Sequence, residues 1–242
     1  MRDIDDYARK YIMEGFEDYQ VCYRRKKIIE ILNQYNPNRI LEIGCGKEPM
    51  FKYWGENKTW LIYEPADEFY KAAIELAANR VKVKIVKEVF PPSKWAQGSV
   101  DFILCSSLLH EVENSHIMLN GIWNVCNKDT IVHLNVPNAH SIHRILAKES
   151  GLIDDVCDFS DRNLILQQNR VYDMESLILE IEDAGFQVLD KGSYFVKFFS
   201  HKQMWKLLKD EIIDERILDG MYKLTDYMPR YGSEIFVNFK KK

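Results

Sequence analysis

The chain has 242 residues, of which 46% are hydrophobic and 29% charged, and its formal net charge is −4. This length and composition predict one globular α/β domain over residues 1–242. The acidic balance argues against nucleic acid as a partner, since binding phosphates requires clustered Lys and Arg side chains. Residues 1–6 lack the apolar core of a signal peptide, and no run approaches the ~20 apolar residues of a membrane helix.

The five cysteines are odd in number, and no two of them form a Cys-x-x-Cys pair. Neither a disulfide framework nor a thiolate metal site is therefore expected. Reduced thiols are typical of the cytoplasm, so we expect a cytoplasmic protein without a membrane partner.

The predicted elements alternate between helix and strand along the chain. The first predicted helix, Tyr7 to Tyr35, begins with aromatic residues that could cover a ligand pocket as a lid or pack on the sheet. The alternation predicts a doubly wound parallel sheet, which binds ligands at the carboxyl ends of its strands. Strands are predicted at Arg39–Ile43, Thr59–Tyr63, Val81–Val86, Val100–Cys105, Thr130–Val136, within Phe186–Phe199 and at Glu234–Phe239. Helices are predicted from Pro49 onward, at Asp67–Asn79, Ile117–Cys126 and Ser141–Gly151, from Asp173 to Ala184, and over His201–Lys223.

Two glycines, Gly44 and Gly46, directly follow the first apolar strand. Glycine costs backbone entropy on folding, so its use here indicates that a ligand approaches the backbone closely, although an ordinary strand-to-helix turn also fits. Glu64 ends the second strand, twenty residues after Gly44. A carboxylate at that position can accept two hydrogen bonds from a ribose, or it can be a solvated acid that opens the next turn.

Polar residues also follow the fourth and fifth strands. His110 titrates in the range useful to a general base, or it only hydrogen-bonds its own loop. Asn138, His140 and His143 follow the fifth strand and are candidates for substrate contact, with packing as the alternative. His140 and His143 share a helix face and could join Glu111 around a metal, but the spacing is not that of a zinc helix, and we expect none.

These segments together resemble the motifs of class I S-adenosylmethionine-dependent methyltransferases over nearly the whole chain. The resemblance rests on Leu41-Glu42-Ile43-Gly44-Cys45-Gly46, Glu64, Ser99-Val100-Asp101-Phe102-Ile103-Leu104 and Leu108-Leu109-His110-Glu111-Val112. Val136 to His143, with Ala184-Gly185-Phe186, is similar to a bacterial branch that includes small-molecule and surface-glycan methyltransferases.

The resemblance implies a Rossmann-like sheet of seven strands, mostly parallel, with the last strand antiparallel between two parallel ones and helices on both faces. It implies S-adenosylmethionine as cofactor and S-adenosylhomocysteine as product. Residues 1–36 would form an N-terminal helical segment, 37–140 the cofactor half and 141–242 the substrate half. One departure is the long helical stretch before the last strand, where the family often has a short hairpin. The implied cofactor contacts are Glu42, Gly44, Cys45 and Gly46 on the methionine side, Glu64 at the ribose, Glu88 and Val89 at the adenine and Ser106 near the sulfonium.

The predicted reaction moves a methyl group to an oxygen or nitrogen of a small molecule or glycan precursor, with His110 as base if the acceptor holds a proton. One alternative is a non-catalytic subunit that binds the cofactor. Another is a nicotinamide-dependent oxidoreductase, but its fingerprint has a third glycine where this chain has Pro49. The amino-methylating signature of nucleic-acid enzymes is absent after strand four, where the chain has Cys105-Ser106-Ser107.

Overall fold

A computed structural model describes residues 4, 6, 15–95 and 97–242. Seven strands form one sheet in the order β3-β2-β1-β4-β5-β7-β6. The strands are β1 (Arg39–Ile43), β2 (Thr59–Tyr63), β3 (Val83–Val86), β4 (Phe102–Ser106), β5 (Ile131–Pro137), β6 (Phe186–Tyr194) and β7 (Glu234–Lys241). The helices of the described part are α1 (Phe16–Tyr35), α2 (Asp67–Ala77), α3 (Ser115–Val125), α4 (Ile142–Glu149), α5 (Asp161–Ile165), α6 (Met174–Asp183), α7 (His201–Lys209) and α8 (Glu215–Lys223).

The sheet is parallel from β3 through β5, and β7 pairs antiparallel with both β5 and β6. This arrangement confirms the predicted Rossmann-like, seven-stranded fold. Because β7 runs in the opposite direction, its first residue lies where the parallel strands end, and Glu234 stands opposite Pro137 and Tyr194. The last strand thus contributes a side chain to the edge of the sheet where ligands bind in such folds.

Successive side chains of a strand point to opposite faces of the sheet, so the hydrophobic core consists of two clusters, one on each face. Leu41 and Ile43 of β1 pack in the same cluster as residues of α3 and α6. Ile40 of β1 and Phe102 of β4 belong to the other cluster, which includes residues of α1, α2, α7 and α8. A strand buried on both faces has a continuous apolar sequence, which is why these short central strands could be recognised from the sequence.

Two helix predictions are wrong. The helix predicted from Pro49 is a single 3-10 turn, Met50–Lys52, because Tyr53 bonds back to Met50 and the chain turns away toward β2. The stretch predicted as helical over His201–Lys223 consists of α7 and α8, separated by a turn in which Glu211 has a φ of 54°. The part of the predicted first helix at residues 7–14 lies outside the described residues. No helix within the described ranges combines the length and apolar character needed to cross a membrane.

Candidate cofactor and acceptor site

A cavity of about 1910 Å³ opens at the carboxyl edge of the parallel strands. Its wall includes the glycine turn after β1, the residues after β2 and β4, one face of α1, and the start of β7. Pockets that hold one small ligand usually measure about 300–1,000 Å³. The cavity therefore has room for a nucleoside cofactor and a second molecule together.

The glycine turn forms one wall of the cavity. Gly44 and Gly46 have φ values of 71° and 57°, a left-handed conformation that glycine adopts without steric cost. A Cβ added to Gly46 would meet no atom within 4 Å, so the backbone there borders open space. The turn thus fits the predicted role of a surface against which the cofactor lies.

Glu64 is joined to the glycine turn by its carboxylate. Oε2 accepts hydrogen bonds from the backbone N–H groups of Cys45 and Gly46 at 3.0 and 3.2 Å, and Oε1 accepts from Ala66 at 2.9 Å. Burial raises the pKa of this carboxyl, although the same hydrogen bonds oppose the shift. The Cys45 thiol also donates to Oε2, at 3.7 Å, whereas Oε1 accepts one bond among the described residues, from Ala66, and so has a lone pair left for a ligand hydroxyl.

Glu42 lies beneath the same turn and is almost fully buried. Its carboxylate accepts the backbone N–H of Met50 at 3.1 Å. Burial raises the pKa of Glu42 to about 8, with a smaller contribution from the nearby charge of Glu64. Burial also raises the pKa of the Cys45 thiol, and both carboxylates add to that shift, so the thiol stays protonated. The thiol therefore donates a hydrogen bond to Glu64 and is not a nucleophile.

His110 lines the cavity just beyond β4 and is 2% exposed. Its ring Nε2 lies 3.8 Å from the carboxylate of Glu111. The backbone carbonyl of His110 accepts from the N–H groups of Asn169 and Arg170 at 2.9 and 3.2 Å, and the Asn169 side chain donates to the Glu111 carbonyl at 2.8 Å. The loop before α6 therefore fixes the position of His110 and Glu111 through hydrogen bonds to their backbone carbonyls. The sequence did not predict this contact.

The three residues predicted for substrate contact lie in different surroundings. The Asn138 side chain donates to the carbonyls of Arg230 and Gly232 and accepts the backbone N–H of His140, so its amide holds the loops together. The ring of His140 is half exposed, with Nδ1 3.9 Å from Asp173. His143 lines the cavity, and its Nδ1 is buried without a hydrogen-bond partner among the described residues.

The structure brings most of the predicted site residues to this one cavity. Two exceptions are Glu88 and His140, which are exposed and do not belong to the cavity wall. The residues that line it are Glu42, Gly44, Cys45, Gly46, Glu64, Val89, Ser106, His110, Asn138 and His143. Within the described ranges, no group of three or more His, Cys, Asp or Glu side chains is arranged to hold a metal ion.

Several wall residues were missed by the sequence analysis. Gln20 and Arg24 come from α1, Lys197 from the segment after β6, and Glu234 from the start of β7. Lys197 stands alone within the apolar run Tyr194-Phe195-Val196-Lys197-Phe198-Phe199, a signal that could have identified it. Gln20 and Arg24 are one helical turn apart, but nothing in the sequence pairs them with a strand more than 200 residues later.

Comparison with known proteins identifies the family. A family model described as a methyltransferase domain matches residues 14–191. The chain therefore belongs to the class I S-adenosylmethionine-dependent methyltransferases, which confirms the predicted family and its cofactor, S-adenosylmethionine. No curated protein matches the sequence.

Solved structures share the fold at low sequence identity. The N-methyltransferase NodS from Bradyrhizobium japonicum, in complex with S-adenosylhomocysteine, is 10% identical over 93% of this chain and 87% of its own, with a TM-score of 0.56. The plantazolicin methyltransferase BamL is 14% identical over 93% and 88%, with a TM-score of 0.59. The [4+2]-cyclase SpnF is 13% identical over 90% and 80%, with a TM-score of 0.58. The same fold thus supports methyl transfer to different acceptors and also a different reaction.

Proposed function

We propose that this protein transfers a methyl group from S-adenosylmethionine to an oxygen or nitrogen of a small molecule or glycan precursor. The observation that carries the proposal is the single cavity of about 1910 Å³, which joins the glycine turn and Glu64 to the polar residues at the start of β7. We assign the end of the cavity at the glycine turn and Glu64 to the cofactor and call it the cofactor end; residues 37–140 supply it. The opposite end, at the start of β7, is assigned to the acceptor and called the acceptor end; residues 141–242 and α1 supply most of it. NodS and BamL, which share this fold, are methyltransferases of that broad kind.

When bound, the cofactor supplies an activated sulfonium methyl group, so the protein has mainly to position and dehydrate the acceptor. The backbone at Gly46 is open to the methionine part, whereas a Cβ at Gly44 would meet Leu108 at 3.3 Å, and Oε1 of Glu64 has room for a ribose hydroxyl. Val89, which is exposed at the cavity wall, would contact the adenine. Ser106 ends β4, which lies between β1 and β5 in the sheet, and it pairs with Asn135 of β5. Its position is therefore between the glycine turn and the acceptor end.

The structure disfavours a dinucleotide as the cofactor. A pyrophosphate is usually bound at the N-terminus of the helix that follows the glycine turn, where aligned N–H groups point at the ligand. After this glycine turn the chain forms only the 3-10 turn Met50–Lys52. One of the N–H groups of that turn, that of Met50, is already bonded to Glu42.

The first test is calorimetric titration of the full chain with S-adenosylmethionine, S-adenosylhomocysteine, and the oxidised and reduced nicotinamide dinucleotides. We expect micromolar binding of the two sulfur nucleotides and none of the dinucleotides. Binding of a dinucleotide instead would overturn the proposal. Absence of binding by all four would favour a non-catalytic protein that kept the fold.

His110 is the proposed general base for an acceptor that holds a proton. With an acceptor that the wild-type protein methylates, His110→Ala should lower kcat by about 100-fold or more, the usual contribution of a positioned base. Affinity for S-adenosylhomocysteine, measured by calorimetry, should change much less. His116→Ala, which removes an exposed histidine of α3, is the matched control. If His110→Ala turns over at the wild-type rate, His110 has no role as base.

A further inference from the structure

The helix α4 lies at the acceptor end of the cavity, and none of its residues is buried. Its start is fixed near β7, because the N–H of Ile142 donates to the Tyr231 carbonyl at 3.1 Å. His143, Leu146 and Ala147 line the cavity, and their spacing of three and four positions places them on one face of the helix. Burial lowers the pKa of His143 well below its ordinary value, so its ring is neutral. The face of α4 at these three positions therefore presents uncharged side chains to the cavity.

The turn that ends α4 brings a second leucine to this face. The N–H of Gly151 donates to the Lys148 carbonyl and the N–H of Leu152 to the Ala147 carbonyl, both at 2.9 Å. These two bonds, with Gly151 at a φ of 68°, form a Schellman motif. In this motif the residue after the glycine usually contacts an apolar residue of the last helical turn. Leu152 is therefore placed beside Leu146, and both leucines line the cavity.

The apolar side chains at this end of the cavity are only partly covered by the protein. Leu146 is 42% exposed, Leu152 is 75% exposed, and Phe199, between β6 and α7, is 41% exposed. Ile153 and Phe198 are half-buried in the same wall. Single exposed apolar residues are normal, but a group of them that lines one cavity is typical of a ligand site. We call Leu146, Leu152, Ile153, Phe198 and Phe199 the apolar wall.

Three cations at the acceptor end already have partners. One guanidinium nitrogen of Arg24 lies 2.7 Å from the Glu234 carboxylate. The Lys197 ammonium lies 5.8 Å from the centre of the Phe16 ring, within reach of a cation–π interaction. The Arg144 guanidinium donates to two backbone carbonyls of the loop that follows α4. These cations do not need a charged acceptor, so selection of the acceptor falls to the apolar wall.

The volume of the cavity allows a sizeable acceptor. A cofactor that filled as much as about 1,000 Å³ of the 1910 Å³ would leave about 900 Å³, enough for a second organic ligand. The apolar wall belongs to the same cavity as the glycine turn and Glu64. The molecule that covers this wall is therefore one that also reaches the cofactor, which is the acceptor.

We propose that the methyl acceptor carries an apolar chain or ring of several carbon atoms, which binds against the apolar wall while its oxygen or nitrogen faces the cofactor. This inference rests on the proposed function, because it assigns the other end of the cavity to the cofactor. A fully polar acceptor, such as an unsubstituted sugar, would leave the apolar wall in contact with water and gain nothing from it.

The test is calorimetric titration of the full chain, with and without saturating S-adenosylhomocysteine, using phenol, 4-ethylphenol and 4-butylphenol as neutral probes of increasing apolar length. Burial of each added carbon should lower Kd by about fourfold. The compound 4-(2-methoxyethyl)phenol, whose side chain has the length of a butyl group but contains an ether oxygen, should bind more weakly than 4-butylphenol.

Leu146→Asn should raise Kd for 4-butylphenol by at least about tenfold, because the chain loses an apolar contact. Affinity for phenol and for S-adenosylhomocysteine should change much less. The matched control is Leu179→Asn, which replaces an exposed leucine of α6 outside the cavity wall. If Leu146→Asn does not fold, Leu152→Asn takes its place, with the same expected loss.

Titration with S-adenosylhomocysteine separates this inference from the proposed function. Absence of binding by all the phenols, equal Kd values along the series, or a series unchanged in Leu146→Asn overturns the inference even if the nucleotide binds. Binding that strengthens with chain length and requires Leu146, in a protein that binds no sulfur nucleotide, overturns the proposed function alone.

Discussion

Two buried carboxylates lie at the same edge of the sheet in different surroundings. Glu64, after β2, is bonded to backbone N–H groups at the border of the open cavity. Glu234, at the start of β7, is bonded to side chains from three other elements: Arg24 at 2.7 Å, Gln20 at 3.1 Å, Asn135 at 2.8 Å and Tyr194 at 2.5 Å. Glu64 depends on its local turn, whereas Glu234 joins distant parts of the chain.

The two carboxyls differ in the direction of their pKa shifts as a result. Burial raises the pKa of Glu64, and backbone hydrogen bonds only reduce that shift. Burial also opposes ionisation of Glu234, but the charge of Arg24 and the hydrogen bonds around it hold the pKa of Glu234 below its ordinary value. Glu234, whose carboxylate is bonded to several side chains, is suited to stabilising the fold. Glu64, which has a lone pair left beside the cavity, is suited to binding a ligand.

Glu234→Gln should have the largest effect on stability. The substitution removes the charge that accepts three hydrogen bonds from the Arg24 guanidinium, while Glu17 stays 3.9 Å from it, so the free energy of unfolding should fall by about 3 kcal/mol. Because the pKa of Glu234 is lowered on folding, its contribution should be complete above the ordinary carboxyl pKa and be lost as the pH falls through the folded value. Urea unfolding at several pH values measures both effects.

The control for this prediction is Asp219→Asn, which breaks an ion pair with Lys26 between two exposed side chains. Its effect should be much smaller because solvent screens such pairs. Equal losses in the two variants would show that the Glu234 network does not stabilise the fold as proposed.

Glu42→Gln should change how stability depends on pH. The folded-state pKa of Glu42 is about 8, above the ordinary value of 4.5, so between these values the folded protein holds a proton that the unfolded chain releases. Unfolding free energy should therefore fall as the pH rises across this window, by up to about 1.4 kcal/mol per pH unit. The variant lacks the titrating group, and its urea unfolding should vary less between pH 5 and pH 8. Identical pH profiles for the two proteins would contradict a shifted Glu42.

Glu64→Ala should change a free energy by the smallest amount of the three substitutions. Its effect should fall mainly on cofactor binding and not on the stability of the fold. Affinity for S-adenosylhomocysteine, measured by calorimetry, should weaken by about 1–3 kcal/mol, the loss expected when a ligand's hydrogen-bonding partner is removed. Stability should fall less than in Glu234→Gln, because water in the cavity can hydrate the freed N–H groups. Glu56→Ala, in the exposed loop before β2, is the control. Unchanged affinity in Glu64→Ala would show that Glu64 does not bind the ribose.

The regions that the sequence predicted well are governed by local patterns. β1 and β2 begin and end at the predicted residues, because each is a short apolar run with a turn on either side. Asp173, where the sequence predicts the helix to begin, caps α6 through the hydrogen bond from Ser176 N–H at 2.7 Å. The helix predicted from Pro49 failed because a proline suited to a first helical turn is equally suited to a 3-10 turn, and the tertiary path to β2 decided between them.

The sequence by itself determined the family, the positions of the central strands and the glycine turn, since these depend on patterns of residues close together in the chain. Only the tertiary structure decided the acceptor end of the cavity. Gln20 and Glu234 are 214 positions apart, and the antiparallel insertion of β7 brings them within hydrogen-bonding distance. Lys197 reaches the same wall through the turn at Phe195. Contacts between distant residues leave no periodic signal in a sequence, because they depend on the packing of whole elements.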